Sequence, residues 1–426
     1  MNPRRTRARC LSPGPCPVAL PFLFIGLLVC CAAASAGDDP CKPTTRTAEA
    51  WTETTGCIRV PLYYDEPDGG TLPLYYVRSQ PRGTPAGRII VFHGGPGFPS
   101  VRHPESGALW AGLRASFDIV YFHQRGAGRS GRLESLATLK RKRLGAFNLA
   151  AMTEDARTLH DALWGGEGRV ILFGKSAGGF LALKFALAWP ERTARVVLAA
   201  TAAWHEYVSA RDEVKARFME ELGRRFPGFA EALDRAKAKA PDGLLVQIGD
   251  REQRLSWTEL EESVLFDLTY TLRGQYEAVS IVRQLADGGT SLLQERLDRG
   301  ASVLRLDELS SEALFLVVAC RELGWAQQQP AACLLAGTKR DPYDLRGRLA
   351  EVRVPVLVLS GAYDPVLPPR YQEEIAAGLR PEVLAGHVHM AHSAHMLFWE
   401  QPQASARRIL GFLGLTPQQP PQARAP

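Results

Sequence analysis

The chain has 426 residues, enough for one large domain with an insertion or for two domains. Its formal net charge is +6, but residues 1–36 hold four arginines and no acid, so the rest carries only +2. That balance excludes nucleic acid as an expected partner.

From the N-terminus, Arg4, Arg5, Arg7 and Arg9 precede an apolar run over Val18–Ala34, interrupted by Pro21 and closed by Ala34-Ser35-Ala36. This is the pattern of a signal peptide over residues 1–36. The alternative, an uncleaved anchor, needs a longer apolar run, and Val29 ahead of Cys30 fits a lipoprotein signal poorly. Export to the periplasm or the medium is therefore expected, with no stable membrane insertion once the leader is removed. Cys10, Cys16, Cys30 and Cys31 leave with it. Cys41, Cys57, Cys320 and Cys333 remain, and an even number in an exported chain suggests two disulfides. Three pairings are open, of which Cys41–Cys57 with Cys320–Cys333 is favoured as the local one. Free buried thiols are the alternative.

Strand-like runs follow at Ile58–Pro61, Leu72–Val77, Arg88–Phe92, Phe117–Phe122, Arg169–Phe173, Val196–Ala199 and Val354–Leu359. Helical segments separate several of them, which predicts an α/β fold with a mostly parallel central sheet. The first two runs, with Asp68-Gly69-Gly70 between them, predict an antiparallel hairpin. Between about residues 203 and 348 strand character fades. Phe218, Leu222, Phe226, Phe229 and Leu233 recur at near-helical spacing there, broken at Pro227, and read as helix packing. The expected organisation is a core first part over 37–202, a helical cap insertion over 203–348, a core second part over 349–415, and a disordered Pro/Gln-rich tail over 416–426. A lid in that place shapes the substrate pocket and excludes water.

Gly174-Lys175-Ser176-Ala177-Gly178 is a G-x-S-x-G pentapeptide between an apolar strand and a helical run that Pro190 ends. Strand, sharp turn, helix is the setting of a nucleophile elbow, which makes Ser176 the candidate nucleophile. Such a serine needs a base, an acid to orient the base, and donors for an oxyanion. Asp364 is the candidate acid, at the tip of the strand that ends in Ser360-Gly361. The alternative for Asp364 is a solvated turn residue capping a helix near Arg370. Four of the nine histidines, His387, His389, His392 and His395, fall within nine residues. His395, in a predicted loop just before an amphipathic helix over Gln403–Leu413, is the candidate base, with His392 as competitor. The order Ser, Asp, His is that of α/β-hydrolases. The Ala177 amide, directly after the nucleophile, and Gly95, in His93-Gly94-Gly95-Pro96-Gly97, are the candidate oxyanion donors. A rival reading takes His387, His389 and His392 as an H-x-H-x-x-H metal site, but Ala391 stands where such motifs carry an aspartate. No metal and no other cofactor is expected.

From Cys57 to Leu415 these residues resemble the proline iminopeptidase and tripeptidyl aminopeptidase group of α/β-hydrolases. The resemblance is strong in the core and weak in the cap. Cys57-Ile-Arg-Val-Pro-Leu-Tyr-Tyr-Asp65-Glu-Pro67 resembles the opening of the secreted tripeptidyl members. His93–Gly97 is similar to the family's oxyanion loop, and Gln124-Arg125-Gly126-Ala-Gly128-Arg129-Ser130 to its D-Q-R-G-x-G-x-S segment. His395 followed by Glu400-Gln401-Pro402 has the spacing of the family's histidine segment, which favours His395 over His392. Two departures stand out. His123 replaces the family's aspartate, which puts the geometry of that loop in question, and Ala394 replaces a common glycine. The resemblance implies a small peptide substrate whose free α-ammonium is held by acidic groups. Cys320-Arg321-Glu322 resembles a segment of the secreted members, so Glu322 is implied as substrate-binding; a surface glutamate on a cap helix is the alternative.

The expected function is thus an exported serine aminopeptidase of the proline iminopeptidase or tripeptidyl type. A carboxylesterase or lipase with the same triad is the first alternative, and a non-catalytic binding protein on a hydrolase fold the second.

Overall fold

The computed structural model describes residues 41–98, 108–136, 141–204, 219–299, 310–324, 333–334, 336 and 342–415. The expected leader and the expected tail after Leu415 lie outside them.

Eleven strands are found among the described residues. Nine of them, β1 (Thr44–Thr47), β2 (Trp51–Pro61), β3 (Thr71–Pro81), β4 (Arg88–Phe92), β5 (Asp118–Phe122), β6 (Val170–Lys175), β7 (Thr193–Ala199), β10 (Val356–Gly361) and β11 (Leu384–Met390), form one sheet. Its order is β1-β2-β3-β5-β4-β6-β7-β10-β11. The first three neighbour pairs are antiparallel and the other five parallel. The expected hairpin is β2–β3, with Cys57 opposite Tyr75. Gly70 closes its turn at φ 103°, a backbone state that glycine adopts without steric cost.

Helices cover both faces, and alternation along each strand says why. Ile90, Phe92, Leu172, Val196, Leu198, Val356 and Val358 point to one face, with side chains of α2 (Leu149–Trp164) and α3 (Ala177–Ala188). Ile89, Val91, Ile171, Phe173, Val197, Leu357 and Leu359 point to the other. There α1 (Ala108–Ser116) supplies Leu109, Trp110 and Leu113, and α10 (Pro402–Phe412) supplies Ile409 and Leu410. Strands buried on both faces read as continuous apolar runs.

The stretch between β7 and β10 carries its own small core. The stretch includes α4 (Phe229–Lys239), α5 (Leu272–Asp287), α6 (Ser291–Asp298) and α7 (Glu312–Arg321), the last packed on the main core. Leu222, Phe229 and Leu233, three of the five residues singled out by spacing, are buried there with Ile281, Val282 and Leu285. Phe226 packs partly buried against them, and Phe218 lies outside the described residues. This stretch is not purely helical, contrary to expectation: β8 (Leu244–Ile248) and β9 (Arg251–Leu255) form a separate antiparallel hairpin. Two further helices are α8 (Pro369–Gly378) and α9 (Leu397–Glu400).

Both local cysteine pairs are disulfides, Cys41–Cys57 and Cys320–Cys333. Among the described residues no helix is long and apolar enough to cross a membrane.

Candidate active site

Ser176 lies between β6 and α3 with φ 52° and ψ −131°. A non-glycine residue there is strained and persists only where its surroundings hold it. Three contacts do so. The Ser176 N–H donates to Ala199 O at 2.9 Å, Gly179 N–H donates to Ser176 O at 2.9 Å, and Thr201 Oγ1 donates to the same carbonyl at 2.7 Å. The glycines of the elbow are required by space. A Cβ on Gly178 would lie 2.0 Å from Phe92 O, and one on Gly174 would lie 2.6 Å from Gly179 Cα.

That same crowding sets the candidate oxyanion loop beside Ser176. A Cβ on Gly94 would lie 2.8 Å from Ser176 Cβ. Gly95 has φ 66° and Gly97 φ 94°, the left-handed region open to glycine. Ala177 is the first residue of α3, so its N–H is among those a helix leaves without an internal partner. The loop is braced from two sides. Gln124 Nε2 donates to His93 O at 3.3 Å, and Ser311 N–H donates to Gly97 O at 2.8 Å. His93 donates from Nδ1 to Gly94 O, and burial followed by the Lys175 charge lowers its pKa to about 4, so it is neutral.

Asp364 and His395 meet at the ends of β10 and β11. His395 Nδ1 donates to Asp364 Oδ2 at 2.7 Å, and both side chains are buried. Asp364 Oδ1 accepts the Val366 and Leu367 amides at 2.9 Å each, which fixes the carboxylate plane. With the proton on Nδ1, Nε2 keeps its lone pair, as a general base requires. The tip of Lys175, next to Ser176, reaches Met396 Sδ, next to His395, at 3.3 Å. Among the described residues no hydrogen bond joins Ser176 Oγ to the His395 ring; without substrate such contacts are often long and tighten on binding.

The other three histidines of the cluster point elsewhere. His387 Nε2 and His389 Nδ1 lie 3.0 and 3.1 Å from Ser360 Oγ. His392 is exposed, and its carbonyl accepts from Gln401. Among the described residues no three His, Cys, Asp or Glu side chains are grouped to hold a metal ion.

Glu322 is buried at the end of α7, away from solvent. Its Oε2 accepts the Leu149 N–H at 2.8 Å, at the N-terminus of α2, where a carboxylate meets the positive end of the helix.

Several supporting residues were not legible as such. Arg125 is fully buried and holds Asp155 through Nε at 2.7 Å and Nη2 at 2.5 Å, while Nη1 donates to Leu62 O and Ala146 O. Tyr64 donates to Asp155 Oδ1 at 2.9 Å, and burial, with the Asp155 charge, pushes its pKa well above the usual value. His123, where the sequence departs from the resembled pattern, is buried. Its Nδ1 accepts the Arg129 N–H at 2.9 Å, and burial first, then the Arg129 charge, lowers its pKa to about 3. A neutral imidazole thus closes the loop. Glu400, the last residue of α9, accepts the amides of Ala394 and Leu272. Burial raises its pKa against those donors.

The chain is similar to several known proteins. A proline iminopeptidase of Pestalotiopsis fici is 25% identical over 142 residues, which span 33% of this chain and 44% of that relative. A proline iminopeptidase of Mycobacterium smegmatis is similar in structure at 16% identity and TM-score 0.49, over 84% of this chain and 98% of that one. A hydrolase of Pseudomonas aeruginosa is similar at 21% identity and TM-score 0.45, with the same coverage of each chain. The model of the alpha/beta hydrolase fold family matches residues 87–402. With the strand order and the serine elbow described above, that match makes this chain a member of the alpha/beta hydrolase fold family.

Proposed function

We propose that the protein is an exported serine hydrolase that cleaves peptides from a free N-terminus, releasing one or a few residues. One observation supports the chemistry above all others: a strained Ser176 stands at the same sheet edge as a buried His395–Asp364 pair at 2.7 Å. Ser176 Oγ attacks the scissile carbonyl as His395 Nε2 takes its proton. The Gly95 and Ala177 amides receive the oxyanion, and the C–N bond breaks as His395 returns the proton to the leaving amine. Water, deprotonated by the same ring, then releases the acyl group and restores Ser176. The insertion serves as the cap over this site. The aminopeptidase reading draws on the opening and oxyanion motifs and on the proline iminopeptidase relative. The two disulfides support export.

The test compares wild type with Ser176→Ala on prolyl and Ala-Ala-Pro amides, free or N-acetylated, and on a short-chain aryl ester. Cleavage of the free-amine amides, lost in the variant and blocked by acetylation, is the expected result. Ester turnover without amide cleavage would replace this reading with a carboxylesterase. Failure of a fluorophosphonate to label Ser176 would leave a binding protein. Glu322→Gln adds the recognition test: a raised KM for free-amine substrates alone places the ammonium there, and an unchanged KM with lower stability leaves Glu322 as the cap of α2.

A further inference from the structure

The loop that carries His395 is held from two sides. On the core side it abuts the turn before Asp364: a Cβ on Gly361 would lie 2.1 Å from Ala394 O. On the other side it meets the insertion. Met396 N–H donates to Tyr270 O at 3.2 Å, and the Tyr270 ring stands edge-on to the His395 ring at 5.3 Å between centroids. One carboxylate then joins loop and insertion. Glu400 Oε2 accepts the Ala394 N–H at 2.7 Å and lies 3.3 Å from Ser393 Oγ, while Oε1 accepts the N–H of Leu272. Leu272 is the first residue of α5, so its N–H has no acceptor within the helix. Ala394 is the residue directly before His395.

We propose that Glu400 is a positioning residue through which the insertion holds His395 in register with Asp364. The inference rests on the reading of His395 as the base. Docking of α5 and placement of the imidazole are then one event, because both backbone amides share one carboxylate. The insertion thus contributes to catalytic geometry as well as to the pocket wall. Loss of either hydrogen bond frees the segment Ser393–Met396 to shift. A displacement of about 1 Å at a general base costs up to about a hundredfold in rate.

The backbone supplies a clean test. Leu272→Pro deletes the donor N–H at a backbone position that suits proline. Proline is favoured at the first position of a helix, and the preceding Thr271 already has φ −128° and ψ 152°, which proline requires of its neighbour. The Thr271 side chain caps through Gly274 N–H and is untouched. Glu400→Gln removes the second carboxylate oxygen by a near-isosteric change. Both variants, their double and His395→Ala are compared with wild type by the rate of fluorophosphonate labelling at Ser176, by kcat and KM on whichever amide or ester is turned over, by thermal melting, and by the deshielded Nδ1 proton of His395 in the NMR spectrum.

Each single variant is expected to label between about tenfold and a hundredfold more slowly, with kcat reduced in step, KM and melting little changed, and the Nδ1 proton signal weakened. The double variant is expected to be no slower than Glu400→Gln. Wild-type rates in folded Leu272→Pro or folded Glu400→Gln, with His395→Ala inactive, would overturn the inference and leave the triad standing. Wild-type labelling in His395→Ala would overturn the triad reading and the inference with it.

Discussion

At the scale of single residues, steric demands outweigh propensity. Gly178 is the second residue of α3, where alanine would ordinarily add up to about 1 kcal/mol of helix stability. Its Cβ would instead meet the Phe92 carbonyl at 2.0 Å, and overpacking against rigid backbone costs about 1–3 kcal/mol or more. Gly178→Ala is therefore expected to lower the urea midpoint and, because Phe92 leads directly into the candidate oxyanion loop, to slow labelling of Ser176. Buried histidines set the response to acid. His123 and His93 have pKa values lowered to about 3 and about 4 in the fold, against about 6.5 in the unfolded chain. The unfolded chain takes up protons first as pH falls. Stability is thus expected to be flat above about pH 7 and to fall below about 6.5, by up to about 1.4 kcal/mol per pH unit for each ring, until its folded-state value is reached. His123→Asn keeps an acceptor for the Arg129 amide and cannot titrate. Urea titrations at pH 7.5 and pH 5 should show a smaller loss in that variant than in wild type.

At the scale of elements, the Arg125–Asp155 pair shows how a loop motif acts as a fastener. Arg125 lies after β5, Asp155 lies in α2, and Pro61, Leu62 and Tyr64 end the β2 edge of the hairpin; all converge on one guanidinium and one carboxylate. Both side chains are fully buried, so removing one leaves an uncompensated charge. Asp155→Ala is expected to cost about 3–5 kcal/mol, read by chemical denaturation. The motif around Arg125 was visible in the sequence, but its partner was not, because residue 155 lies 30 positions on inside an ordinary amphipathic helix. The β8–β9 hairpin was missed for a related reason. β9 is Arg-Glu-Gln-Arg-Leu, largely exposed, and only its pairing with β8 makes it a strand.

At the scale of the whole molecule, the sheet brings distant stretches of the chain to one edge. Ser176 follows β6, Asp364 follows β10 and His395 follows β11, and these strands run parallel through β7. Two disulfides close short loops in this plan, with separations of 16 and 13 residues. The first joins the segment before β1 to β2, and the second secures the end of α7, near the Glu322 cap of α2. Loops of this size each contribute about 3 kcal/mol through the unfolded chain. A reductant is therefore expected to lower the melting temperature, and the Cys320→Ser, Cys333→Ser double variant to show part of that loss in the absence of reductant.

By itself the sequence determined the local signals: strands long and apolar enough to be buried on both faces, the glycines and serine of the elbow, and the order of Ser176, Asp364 and His395 along the chain. These are legible because periodicity and turn chemistry act over a few residues. The β11 edge strand, which carries His387 and His389, was not among the runs read as strands. Only the tertiary structure decided what each polar residue near the site touches. It turned His395 rather than His392 onto Asp364, gave His123 an amide to accept, and set Glu322 on a helix end. It also made Glu400 a bridge between loop and insertion. Such contacts depend on which segments the fold brings together, and those of Glu322 with Leu149 and Glu400 with Leu272, 173 and 128 positions apart, leave no mark in local pattern.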